Sequence, residues 1–197
     1  MKGIKKYIII CLLTIILIVP MIFGIFIEYF LPRIVNVVSI LIGVLGVFIL
    51  VVVGVLIELL VYKKETLKII QKHDLINSFI QKTNRLILWI FFLITMIMEE
   101  LIFRYYSIGI LNSVLHLDVY LAIIISSGAF SLYHIHTWFS YKNLRILIIN
   151  LIYPFFLGLY LGLLIFSFGF FSCVVAHLII AFFMHYNIYR IYYKSVN

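Results

Sequence analysis

Apolar residues fall in long blocks along this chain, and polar residues are gathered into a few short breaks between them. A helix rises about 1.5 Å per residue, so a hydrocarbon core of roughly 30 Å needs about 20 mostly apolar residues. Six blocks approach or exceed that length. The first runs from Tyr7 to Leu31, interrupted only by Pro20 and Glu28, and a turn at Leu31-Pro32-Arg33 leads to the second, Ile34 to Val61. The third is Leu86 to Tyr106 and the fourth Val119 to Ile135, followed by a polar, aromatic loop from His136 to Arg145. The fifth runs from Ile146 to Phe166, Ser167-Phe168-Gly169 breaks it, and the sixth spans Phe170 to Ile191. Lys2, Lys5 and Lys6 ahead of the first block resemble the start of a signal peptide. However, the apolar stretch is too long and no Ala-x-Ala-like site follows, so a retained helix is expected.

Composition excludes the alternatives to a membrane protein. Of 197 residues, 66% are hydrophobic and only 11% charged, whereas soluble domains are nearer half apolar and a quarter charged. Disordered chains are poor in hydrophobic residues, so disorder is excluded too. The expected fold is all-α: a polytopic transmembrane bundle of about six spans, forming one domain over residues 1–197. Within it lie an N-terminal helical hairpin (7–61), a basic, amphipathic segment at the interface (62–85) and a core (86–191). The net charge of +8 does not indicate nucleic acid, because the basic residues lie between the apolar blocks rather than on one soluble face. Of the 15 Lys and Arg, only Arg33 and Arg104 fall outside the segments that would face the cytoplasm if both termini were inside. That asymmetry predicts the N-in, C-in arrangement, and the expected location is the plasma membrane. Cys11 and Cys173 sit within apolar blocks and read as small core residues.

Ionisable side chains at bilayer depth cost several kcal/mol, about 2.5 to 3.5 on insertion scales, so each needs a reason. Glu28 and Glu58 lie near block ends, where a carboxylate can reach the interface. Glu99, Glu100 and Arg104 lie deep in the third block, roughly 20 Å along the helix from Leu86. Glu100 and Arg104 are i,i+4 neighbours that can pair on one face. Glu99 points about 100° away and has no partner in its own helix. A carboxylate placed so in a wet cavity is what a general base requires. His134 closes the fourth block on the same face as Phe130, and His177 lies in the sixth. His185 reads as interfacial, and His73, His116 and His136 as loop residues.

The run Glu99-Glu100-x-x-x-Arg104, with Phe130-x-x-x-His134 in the next block and His177 in a later one, resembles the CPBP intramembrane proteases. These are the CAAX-protease and bacteriocin-processing proteins, also called the Abi family. The glycine-spaced stretch Gly158-x-x-x-Gly162 is also similar to the family, and equally serves close helix packing. The family's third motif is His-x-x-x-Asn, and here the last position is Ala181. The resemblance covers about residues 86–190.

The resemblance implies an endopeptidase in which Glu99 activates a water that His134 helps to hold. His177 would stabilise the oxyanion, a task shared with the family's Asn. Arg104 would hold Glu100, with Phe130 supporting. Loss of one oxyanion donor costs about 10²–10³ in rate, so Ala181 implies an impaired enzyme or another donor, with Asn150 and Ser172 as candidates. The cofactor stays open on this resemblance: either none is required, or a divalent metal such as zinc is bound, with Glu99, His134 and His177 as its ligands. The implied partners are the bilayer and a peptide or protein substrate: a prenylated CAAX end, a bacteriocin leader, a signalling pro-peptide or a membrane-protein segment. Two other classes stay open. One is a non-catalytic member acting by binding, as in bacteriocin self-immunity or regulation. The other is a proton- or metal-coupled transporter, disfavoured because paired broken helices are missing. Residue counting also leaves a conflict of depth. His134, about fifteen residues into its block, should lie nearer the inner face than Glu99. The fourth block would then have to start higher, within 108–118, with His136 to Tyr141 dipping into the bundle.

Overall fold

The computed structural model describes residues 2–32, 35–62, 66–67, 69 and 85–196. Most of the basic segment expected at 62–85, with Arg33 and His73, lies outside the described residues. The described residues are all helical apart from turns and short connections, with no strand among them. This follows from the apolar blocks: in hydrocarbon, each backbone N–H and C=O must find its partner inside its own segment.

Helix α1 (Lys2–Ile22) ends earlier than its apolar block, because Gly24 takes a left-handed φ of 83° and a short 3-10 turn, Ile27–Tyr29, follows. Helix α2 (Val37–Val61) starts at a reciprocal cap: the Asn36 side chain accepts from the Ser39 N–H at 2.8 Å, and the Asn36 N–H donates to Ser39 Oγ at 3.0 Å. Helix α3 (Arg85–Glu100) does not stop near Tyr106. It continues without interruption through a π-helical turn (Leu101–Tyr106), an α turn (Ser107–Gly109) and a second π turn (Ile110–Val114). Helix α4 (Val119–Tyr133) is capped by Asp118, which accepts from the Tyr120 and Leu121 N–H groups. The expected loop after it contains a short helix, α5 (His136–Tyr141).

The fifth and sixth blocks form one element, α6 (Leu144–Val196), bent at Gly169 with φ 75° and ψ −177°. The bend reverses direction. The Cys173 thiol donates to the Leu161 carbonyl at 3.2 Å, and both Tyr153 and Met184 border Gly54 of α2. Only glycine fits the bend, since a Cβ there would come within 2.6 Å of the Phe30 carbonyl oxygen. The two arms, 144–168 and 170–196, therefore run antiparallel.

Close approach of α4 to the first arm depends on Gly158 and Gly162, where a Cβ would sit 2.9 Å from that of Ser127 and 2.6 Å from Ile123. The Gly-x-x-x-Gly spacing thus serves helix packing. Helix α2 lies along the same arm; Tyr153 donates to the Leu50 carbonyl at 2.9 Å and Tyr160 to that of Gly43. The core gathers Leu101, Tyr105, Ile108, Phe130, Leu161 and Ile180, while Ile9, Ile16, Leu45 and Phe48 stay exposed on α1 and α2. Those outward faces are the apolar surface a bilayer covers. Among the described residues, four stretches are long and apolar enough to cross one: Lys5–Ile22, Val37–Val61, Val119–Tyr141 and Leu144–Lys194.

Candidate active site

Glu99 and Glu100 end α3, and Arg104 follows within the π turn. A widened turn of this kind recurs at functional sites; the two carboxylates just before it, adjacent on a regular helix, point about 100° apart into different surroundings. Glu100 is fully buried. Its Oε2 lies 3.3 Å from Arg104 Nε, and its Oε1 lies 2.7 Å from His177 Nδ1. The Arg104 guanidinium is itself fully buried, and its terminal nitrogens have no hydrogen-bond partner among the described residues. It lies over the Phe130 ring, 4.1 Å from the centroid, so charge and the aromatic face hold it.

Phe130 is the point at which the motifs meet. Its ring packs edge-on against His134 (4.8 Å between centroids) and His177 (5.7 Å) as well as beneath Arg104. The His134 Nδ1–H donates to the Phe130 carbonyl at 2.9 Å. A carbonyl can only accept, so Nδ1 carries the proton and Nε2 is the nitrogen left for another partner. At His177 the Glu100 carboxylate occupies Nδ1 and leaves Nε2 in the same way.

Glu99 has different company. It is 5% exposed, makes no side-chain hydrogen bond among the described residues, and lines a cavity of about 470 Å³. All six helices contribute to that cavity's wall, and His134 and His177 line it with Glu99. The structure therefore brings the three candidate catalytic residues to one cavity, with Glu100, Arg104 and Phe130 packed behind them. It does not bring Glu99, His134 and His177 into a ligand set. Among the described residues, no group of three His, Cys, Asp or Glu side chains is close enough to hold a metal ion.

The conflict of depth is resolved differently from the expectation. Helix α4 starts at Val119 as the hydrophobic pattern predicts, not within 108–118. It is α3 that is longer than its block. Ser126 Oγ donates to the Phe103 carbonyl and the Phe103 and Phe130 rings are 5.2 Å apart, so the antiparallel α4 carries His134 back to the level of Glu99. The segment His136–Tyr141 borders the cavity.

Other expectations are corrected. Glu58 is not interfacial: it is 1% exposed, accepts from Asn187 Nδ2 at 2.9 Å and lines the cavity. His185, read as interfacial, and His136, read as a plain loop residue, also line it. The His185 Nδ1–H donates to the Ala181 carbonyl at 2.7 Å, and its ring packs on Phe92. A signal for His185 was present, since it follows His177 by a little over two turns on one helix. Of the two candidate donors, Asn150 lines the cavity together with Ala181, whereas Ser172 Oγ is spent on the Gly169 carbonyl at 2.6 Å.

The family model described as Type II CAAX prenyl endopeptidase Rce1-like matches residues 81–183, which take in every one of these motif residues. No curated protein and no solved structure matches the chain. With more than half of its length matched and the motifs assembled around one cavity, the chain belongs to the Type II CAAX prenyl endopeptidase Rce1-like family, a CPBP protease family, and is an integral, multi-pass membrane protein.

Proposed function

We propose that this protein is an intramembrane endopeptidase that hydrolyses a peptide bond with a water activated by Glu99. The observation that carries the reading is Glu99 itself, a carboxylate without a hydrogen-bond partner among the described residues, facing the cavity that His134 and His177 also line. A water there donates one O–H to the Glu99 carboxylate and the other to Nε2 of His134, leaving its lone pairs for the substrate carbonyl carbon. Glu99 takes the proton as the oxygen attacks and passes it to the leaving amine. Negative charge then develops on the carbonyl oxygen. Arg104 and Glu100 hold His177 through its Nδ1, so that its Nε2 edge is presented to that oxygen. Arg104 acts through Glu100 and His177 as a positioning residue. Asn150 supplies the amide that position 181 lacks, from the other arm of α6. The antiparallel arms of α6 and the basic termini support six spans with both ends inside; the membrane assigned on this reading is the plasma membrane.

The test is cleavage of a quenched fluorescent CAAX-type peptide by the purified protein in proteoliposomes. Glu99→Gln should lower the rate by about 10²–10⁴; full cleavage by this variant sinks the mechanism. A second reading, a non-catalytic member that acts by binding, is favoured by Ala181, a methyl group on the cavity wall. It predicts an in vivo phenotype that survives both Glu99→Gln and His134→Ala.

A further inference from the structure

The second carboxylate of the cavity has no part in this chemistry. Glu58 comes from α2, outside the matched region, and Asn187 from the second arm of α6. The Asn187 amide occupies Oε2, while Oε1 has no hydrogen-bond partner among the described residues. No Lys or Arg among them lies within ion-pair distance of Glu58. A carboxylate buried at membrane depth needs a compensating group, and this one has one oxygen held in place and the other uncommitted beside the space Glu99 also faces.

Its position along the cavity follows from the helix. His177 marks the level of the reacting centre, and Asn187 lies ten residues further along the same arm, which is roughly 15 Å. An extended peptide advances about 3.3 Å per residue, so roughly four or five residues separate the two levels. We infer that Glu58, oriented by Asn187, is a substrate-recognition subsite for a cationic side chain, Lys or Arg, placed roughly four or five residues from the scissile bond. The inference rests on the peptidase reading of the cavity. Glu58 touches substrate but not the reacting atoms, so it sets which peptides bind rather than how fast the bond breaks.

Glu58→Gln is a suitable probe, because a glutamine oxygen still accepts from Asn187 while the charge is removed. The experiment measures binding of fluorescein-labelled apolar dodecapeptides carrying a single Lys, or norleucine, at successive positions. The protein is the full-length chain in detergent micelles with Glu99→Gln, which prevents turnover. A Lys peptide should bind about tenfold more tightly than its norleucine twin at one or two adjacent positions. Adding Glu58→Gln should bring that ratio close to one, and Asn187→Leu should broaden the positions at which Lys is preferred. An equal preference with and without Glu58, no preference at any position, or no saturable binding overturns the inference. Cleavage by the protein with native Glu99, run in parallel, separates the two readings. A Glu58-dependent preference without Glu99-dependent cleavage leaves the subsite and removes the peptidase. Cleavage without the preference does the reverse.

Discussion

Two faces of α3 carry carboxylates one residue apart, and their surroundings are opposite. Glu100 is packed between Arg104 and His177 behind the Phe130 ring, whereas Glu99 faces open space without a hydrogen bond among the described residues. A buried pair that is broken leaves an uncompensated charge, so the first face should be sensitive in stability. A carboxylate over a cavity can lose its charge with little structural consequence, so the second should be sensitive in rate. On the proposed mechanism, two adjacent positions of one helix thus divide structural from chemical duty.

The comparison breaks hardest at Arg104. Arg104→Ala strands the Glu100 carboxylate and should cost about 3–5 kcal/mol, read as a lowered midpoint of denaturant unfolding in micelles; Glu99→Gln should leave that midpoint in place. If both variants unfold alike, the division of duties is wrong. Next in size is the amide across the cavity. Asn150→Ala should lower kcat by about 10²–10³ with little change in KM, and adding Ala181→Asn should recover most of the loss. Failure of that rescue would remove Asn150 from the oxyanion site. The smallest effect is expected where the two faces meet. Phe130→Leu withdraws the aromatic face from the guanidinium and should cost about 1–2 kcal/mol, measured by the same unfolding curve, with both histidines still present.

Much of this arrangement is legible in the sequence because lipid makes polarity conspicuous. Glu99, Glu100 and Arg104 stand out against apolar neighbours, and Phe130 with His134 shares a face by simple spacing. The continuation of α3 is not legible. Ser107, Gly109, Asn112 and Ser113 read as a loop, yet each polar group there is satisfied within the fold. Ser107 Oγ donates to the Ile102 carbonyl at 2.8 Å, Asn112 Nδ2 donates to that of Leu117 at 2.9 Å, and the Tyr29 hydroxyl lies within 2.9 Å of both Asn112 Oδ1 and Ser113 Oγ. Glu58 is misplaced for a related reason. Its proximity to a block end points to the interface, while the partner that holds it inside lies 129 residues away. Local pattern reports hydrophobicity along a helix; it is silent on which distant side chain meets a polar one.

The single-residue bend at Gly169 gives α6 the mechanics of tweezers. The arms are joined at a pivot with no loop to absorb movement, and distances from the pivot are set by helix rise: roughly 12 Å to His177 and roughly 27 Å to Asn187. For a rigid arm, a displacement at the Glu58–Asn187 clasp reaches His177 at less than half its size. The far end of the cavity can therefore widen around different side chains while His177 stays nearly still.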